Sequence, residues 1–459
     1  MSDTTTTTEL PGKFHQAVEK WRDTYLPDYG LLLRNWDRFF PHDPTFKLCA
    51  YRELGMCGEI ECGDDQGKPK HTACASMQPE QAGHLLGAIR AQASTEFGSI
   101  QQHQLTLARA QDEEEQFWIL RMMAEELRHG YQMLHLLLED DWSPVSDDSS
   151  EDMVEQILSM RTGTHILGAF NIDFDSFVDN ATFCALIDRV GKYQLQMQKI
   201  SAYSPMAESM PQMLREEAFH LMAGVVPLRR WMEKAGRGSV YTTTADIQKA
   251  LNKWLPRGLE MFGDERGGGT NVRFGLKPLK NGEAQAQYLA EVEKVIRGLN
   301  QRFIRARLPE LSSADADAVL DKILADREPS HGIAYEDLVH APHPSFFRRR
   351  GVPAFELTGW DGETFDDVDE YLVHLSRHLP DAYRAGRDFK FYAETLRKIH
   401  GGEMTVVEGT RAMPHLTRVG GVCPCSRAVR WVNGGGNGDG DGDGDGDGNG
   451  NGNGAPAAG

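Results

Sequence analysis

Glu125-Glu126-Leu127-Arg128-His129 and Glu216-Glu217-Ala218-Phe219-His220 repeat one pattern, E-E-x-x-H, at a separation of 91 residues. Each copy lies inside a long stretch poor in Gly and Pro, with apolar residues at helical spacing. Around the first copy these are Leu120, Met123, Leu127, Tyr131, Leu134 and Leu138. On a helix, residues three apart share a face, so Glu126 with His129, and Glu217 with His220, are each placed to hold one metal ion. One such pair is weak evidence; two in matching surroundings are not.

A four-helix carboxylate site needs one further inward acid from each of two other helices. Glu96 stands 30 residues before Glu126, and Asp188 stands 29 before Glu217. The two helix pairs therefore superimpose with a one-residue slip, as two hairpins about a shared centre would. Glu96 and Asp188 sit in apolar surroundings, Thr95-Glu96-Phe97 and Leu186-Ile187-Asp188. An unpaired carboxylate there costs several kcal/mol, a penalty that a bound cation removes. Four carboxylates and two imidazoles suit two Fe or two Mn ions and argue against a structural zinc, which favours thiolates or a closed tetrahedron.

Outward from this centre, the helical stretches run over about 80–111, 112–140, 175–204 and 206–235, with Pro227 expected to kink the last. Two more, about 245–262 and 283–307, flank a Gly-rich loop at Gly267–Gly269. The expected organisation is an irregular or helical N-terminal layer over 1–79 and a helical metal-binding domain over 80–310. A C-terminal region of mixed strand and helix signals follows over 311–432, helical around Tyr383–Ile399, and then a tail over 433–459. Up to Gly454 that tail is Gly, Asp and Asn, with no apolar residue from Gly434 to Gly454 to build the core that a calcium-binding β-roll requires, so it reads as disordered.

Of the 459 residues, 68 are acidic and 49 basic, for a net charge of −19, and no Lys/Arg-rich block exists to follow a phosphate backbone. Nucleic-acid binding is excluded on that ground. No run of 18 apolar residues occurs, and Met1 to Leu10 has neither a basic nor an apolar leader segment, so no membrane association and a cytoplasmic location are expected. The seven cysteines, Cys49, Cys57, Cys62, Cys74, Cys184, Cys423 and Cys425, are odd in number and irregular in spacing, which reads as reduced thiols. The gaps among the first four match no common zinc pairing, and Cys423-Pro424-Cys425 is not the C-x-x-C of redox proteins.

With Glu96, Glu126-x-x-His129, Asp188 and Glu217-x-x-His220, the chain resembles ferritin-like di-iron oxygenases that act on aryl-CoA thioesters, most of all the oxygenase components of benzoyl-CoA 2,3-epoxidases. Thr95-Glu96 followed by Gln101-Gln102, Ala169-Phe170-Asn171, and Asp188-Arg189 with Gly191-Lys192-Tyr193-Gln194-Leu195 carry the similarity further. Gly275-Leu276-Lys277 and Pro342-His343-Pro344-Ser345-Phe346-Phe347 extend it more sparsely, over residues 12–390 in all. Asp188, where most ferritin-like di-iron proteins carry Glu, is similar to the benzoyl-CoA epoxidase pattern. The resemblance implies a mainly α fold, a ferritin-like four-helix bundle core with extra helices, and a mixed C-terminal region.

It also implies a di-iron monooxygenase with two Fe ions held by those six residues, which are its catalytic set. The reaction would use O2 and two electrons to epoxidise the ring of an aryl-CoA, benzoyl-CoA before others. No G-x-G-x-x-G fingerprint or ferredoxin-like cysteine run is present, so a separate NAD(P)H-dependent reductase is the expected electron donor. Candidate CoA-phosphate contacts are Arg273 with Lys277 and Lys280, or Arg348-Arg349-Arg350. His103 and His135, on the same helices, read as core or surface residues and not as a seventh ligand. Rival readings are a related oxygenase acting on phenylacetyl-CoA or an arylamine, and an iron-handling protein without organic substrate.

Overall fold

In the computed structural model, which describes residues 5–8, 10–41, 47–54, 58–263, 265–351 and 353–412, helices carry most of the chain. Cys57, Cys423-Pro424-Cys425 and the Gly/Asp/Asn tail lie outside the described residues. A two-stranded antiparallel ribbon joins β1 (Thr5–Thr8) to β2 (Ala50–Glu53), and α1 (Gly12–Tyr25), α2 (Tyr29–Arg34) and α3 (Trp36–Phe39) lie between them. This N-terminal layer is more helical than its Gly- and Pro-bearing sequence suggests. Phe14, Val18 and Trp21, at spacings of four and three, give α1 its buried stripe.

The bundle follows: α4 (Pro79–Gln104), α5 (Glu113–Glu139), the short α6 (Ser150–Ser159), α7 (Phe177–Gln198) and α8 (Ser204–Gly236). Local chemistry sets the starts. Asp112 caps α5 by accepting from Glu115 N at 2.8 Å, with Glu113–Glu115 in the positive first turn, and Ser176 accepts from Asp179 N to cap α7. Pro79 opens α4. Pro205 likewise sits in the first turn of α8, where its missing N–H costs nothing, so Ser204-Pro205 begins that helix and does not merely separate two. Helix α8 runs on through Pro211 and Pro227.

Helix α4 packs along α5, α7 along α8, and α5 against α8. The α7–α8 approach is close enough that a Cβ at Gly224 would stand 2.4 Å from Ala185 N and 2.6 Å from Ala181 O, so only glycine fits.

Around the bundle, α9 (Thr244–Met261) packs on α7 and α11 (Asn281–Arg307) on α8, with α10 (Glu265–Arg273) between them. The expected Gly267–Gly269 loop is thus part of a helix. The C-terminal region holds α12 (Ser313–Asp326), α13 (Val368–His378), α14 (Asp381–Ala385), α15 (Arg387–His400) and α16 (Val406–Ala412). Its strand signals yield no ladder among the described residues, only isolated bridges at Ser330–Ile333 and Thr358–Thr364. The single helix expected around Tyr383–Ile399 is broken at Gly386, whose backbone is extended. One apolar cluster extends from Leu10 to Leu396.

Buried ion pairs fasten the C-terminal region. Arg349, fully buried, donates from Nη1 to both Asp388 oxygens at 2.8 and 3.0 Å and from Nη2 to Glu260 Oε2 at 3.3 Å. Its backbone N–H reaches Glu260 Oε1 at 2.7 Å, and Arg257 pairs with the same carboxylate at 3.2 Å. Arg348 donates to the carbonyls of Pro344 and Arg350. Arg348 and Arg349 are therefore committed to the interior and do not form the exposed phosphate-binding cluster that the run of three arginines suggests. No helix among the described residues is long and apolar enough to cross a membrane.

Candidate metal centre

All six predicted residues converge. Glu96 comes from α4, Glu126 and His129 from α5, Asp188 from α7, and Glu217 and His220 from α8, and none is more than 6% exposed. Five of them form two overlapping groups, Glu96–Glu126–His129 and Glu126–Asp188–His220, in each of which one ligand atom per residue lies within 4.8 Å of the others. Glu126 belongs to both: its Oε2 lies 3.4 Å from His129 Nδ1 and its Oε1 3.7 Å from His220 Nδ1. Glu96 Oε2 is 3.6 Å from His129 Nδ1, and Glu217 Oε2 is 3.2 Å from His220 Nδ1. Gly191 leaves room for Glu217, since a Cβ there would stand 2.9 Å from its Oε1.

The outward nitrogens show what the sequence reading missed. His129 Nε2–H donates to Glu216 Oε2 at 2.9 Å, and His220 Nε2–H donates to Glu125 Oε2 at 3.1 Å. The first Glu of each E-E-x-x-H motif thus orients the histidine of the other. Both acids are themselves anchored, Glu125 by Arg121 at 3.2 Å and Glu216 by Arg128. The doubled Glu in each motif was the available signal, but a one-helix argument cannot pair it across helices. A carboxylate on the far nitrogen fixes the imidazole tautomer and aims the Nδ1 lone pair inward, as in metal-binding histidines.

That inward aim tests whether the residues fit metal ions. A neutral imidazole presents at Nδ1 an acceptor facing carboxylate oxygens, which are also acceptors. Such a face repels unless a proton or metal ion lies between. Asp188 Oδ2 and His220 Nδ1 are buried without a hydrogen-bond partner.

Protonation records the same pressure. Burial pushes Glu126 up to about 8, with Glu96 beside it adding to the rise, and Asp188 is driven well above the carboxylate range by burial and by Glu217 and Glu126. Burial alone would lower both histidines, yet the surrounding carboxylates outweigh it and raise them well above their ordinary value. Glu125 with Arg121 and Glu216 with Arg128 balance as pairs, leaving four carboxylates whose charge two divalent ions would match. The donor set fits two hard or borderline cations.

A cavity of about 180 Å³ opens on Glu96, Glu126, Asp188 and Glu217, walled by Leu167, Phe170, Ile187, Leu195 and Met261, with Gln92, Thr95 and Gln194 as polar points. His135 lies beside Glu139, at 3.5 Å. His103, read as a core or surface residue, is fully buried, and it lies in a third buried group with Cys184 and Asp188. No such group among the described residues includes Cys49, Cys62 or Cys74. Of the other basic cluster, Arg273 stays half exposed beside Asp64, and Lys277 donates to Asn281.

Residues 72–308 match the family model described as phenylacetic acid catabolic protein, just over half of the chain. A stretch of 145 residues is 29% identical to benzoyl-CoA oxygenase component B of Aromatoleum evansii, covering 32% of this chain and 28% of that protein. The matched region of the family model spans α4, α5, α7 and α8 with all six converging residues.

Proposed function

The chain belongs to the phenylacetic acid catabolic protein family, and from that membership we propose that it is the oxygenase component of a multicomponent di-iron monooxygenase. It epoxidises the aromatic ring of an aryl-CoA thioester, benzoyl-CoA to 2,3-epoxybenzoyl-CoA. The observation that carries the reading is the sharing of Glu126 between two buried groups whose imidazole nitrogens face carboxylate oxygens. Glu96, Glu126 and His129 would hold one iron; Glu126, Asp188, Glu217 and His220 the other. When bound, the iron pair supplies O2 activation, with two electrons delivered by a separate NAD(P)H-dependent reductase.

The chain's own residues do the remainder. Glu125 and Glu216 accept from Nε2 and so aim both Nδ1 atoms inward, where an ion would take the place of the proton that the facing carboxylates otherwise favour. Leu167, Phe170 and Ile187 present an apolar wall beside the carboxylates, which excludes water and gives a ring a surface to lie on. Gln92, whose amide donates one hydrogen to Glu96, has a second to offer a thioester carbonyl on the same cavity, while the Thr95 hydroxyl is already given to the Gln92 carbonyl.

The name of the relative supports benzoyl-CoA, while the family description favours phenylacetyl-CoA as the second reading. Anaerobic iron loading followed by Mössbauer spectroscopy, with and without each acyl-CoA and O2, tests the proposal. Two irons per chain, oxidised in a substrate-dependent way, are expected, and mass spectrometry of the product separates the substrates. Iron that oxidises at one rate whatever the acyl-CoA would point to iron handling instead.

A further inference from the structure

We propose that His103, Cys184 and Asp188 form a third metal site, for a thiophilic divalent cation of the zinc class, adjoining the iron pair and sharing Asp188 with it. The sharing rests on the reading of Asp188 as an iron ligand; the ligand set itself does not. Cys184 and Asp188 are one turn apart on α7, and His103 reaches them from the last turn of α4. One donor atom of each lies within 4.8 Å of the other two. His103 and Cys184 have no exposed surface and Asp188 almost none.

The imidazole is set up as a metal ligand. His103 Nδ1 contacts Asn180 Oδ1 at 2.9 Å, and the orientation of that amide is fixed because its Nδ2 donates to Thr106 Oγ1 at 2.9 Å. The ring proton is therefore on Nδ1, and Nε2 presents a lone pair. Phe174 and Phe183 meet the ring in edge contacts at 5.1 and 5.4 Å and hold it in place.

Neither His103 Nε2 nor Asp188 Oδ2 has a hydrogen-bond partner, although both are buried. The iron pair already accounts for Asp188 Oδ2. His103 Nε2 is left, an orphan in a group with a thiol whose own contacts, to Asn180 Oδ1 and Met122 Sδ, are long at 3.7 Å, and such an orphan is costly in a plain core and natural beside an ion. A far nitrogen anchored on an amide oxygen is the arrangement of metal-bound histidines. One thiolate, one imidazole and one carboxylate make a set suited to zinc, unlike the sulfur-free iron pair. Since Asp188 belongs to both sites, occupation of either changes the affinity of the other by the same factor.

X-ray absorption at the zinc edge tests this on the full chain, loaded anaerobically with iron and then with one equivalent of Zn²⁺. The expected spectrum has one sulfur at about 2.3 Å with nitrogen and oxygen at about 2.0–2.1 Å. Cys184→Ser and, separately, His103→Gln, each checked for native helicity, should lose the zinc while still binding two irons. A wild-type spectrum without sulfur, or with two or more sulfurs, overturns the site, as does a zinc–sulfur signal that persists in C184S. The wild-type spectrum decides even if a variant misfolds. A chain that takes up no iron pair but keeps the single-sulfur zinc signature would sink the proposed function and leave this site standing.

Discussion

Two clusters of buried charge lie in this molecule, and they end differently. Beneath the C-terminal region, Glu260 and Asp388 meet Arg257 and Arg349, two acids against two guanidinium groups. In the bundle, Arg121 and Arg128 neutralise only Glu125 and Glu216, and Glu96, Glu126, Asp188 and Glu217 are left facing two imidazoles. The first network balances its charges within the fold, although Arg257 Nε and Nη1 and Arg349 Nε are left without hydrogen-bond partners. The second is left with surplus carboxylates that protons or cations from outside must balance, and that surplus separates a candidate site from a structural ion cluster.

The sharpest way to break the comparison is Glu126→Ala. Because this carboxylate belongs to both groups, iron content should fall from two per chain to near zero with loss of activity, whereas Glu96→Ala should keep one iron. Metal analysis after anaerobic loading and desalting reads both. On the other side, Arg349→Met leaves Glu260 and Asp388 short of a partner and should cost about 3–5 kcal/mol of stability. Denaturant unfolding measures that cost, and the surviving folded protein should still bind two irons. An R349M chain that loses iron would show the two clusters to be coupled.

Smaller effects sharpen the account. Glu125→Gln and Glu216→Gln keep the shape but weaken the hold on an imidazole, and each should reduce metal affinity about 10- to 100-fold. Competition with a chelator of known affinity checks this. The pH dependence is smaller still. Glu126 is held protonated below about 8, and a metal must displace that proton. Affinity should therefore rise with pH through about 8, and Asp188, His129 and His220, raised by the same surroundings, carry the rise further, with proton release on binding seen by calorimetry in buffers of different ionisation enthalpy.

The bundle and its six acids and imidazoles were legible because helix periodicity and the matched spacings of 30 and 29 residues are properties of the chain itself. The pairing of His129 with Glu216 and of His220 with Glu125 was not, since it depends on how α5 and α8 are set against each other. His103 and Cys184 stand 81 residues apart in no motif. The C-terminal region misled for another reason: its Arg348-Arg349-Arg350 run looks like a surface patch, and only acids from α9 and α15 draw Arg349 inward.

Anomalous diffraction at the iron edge from anaerobically loaded crystals addresses the central claim most directly. The account predicts two peaks flanking the Glu126 carboxylate, one within bonding distance of Glu96 and His129, the other of Asp188, Glu217 and His220. A single peak, or peaks away from these six side chains in a protein shown to contain iron, would contradict it.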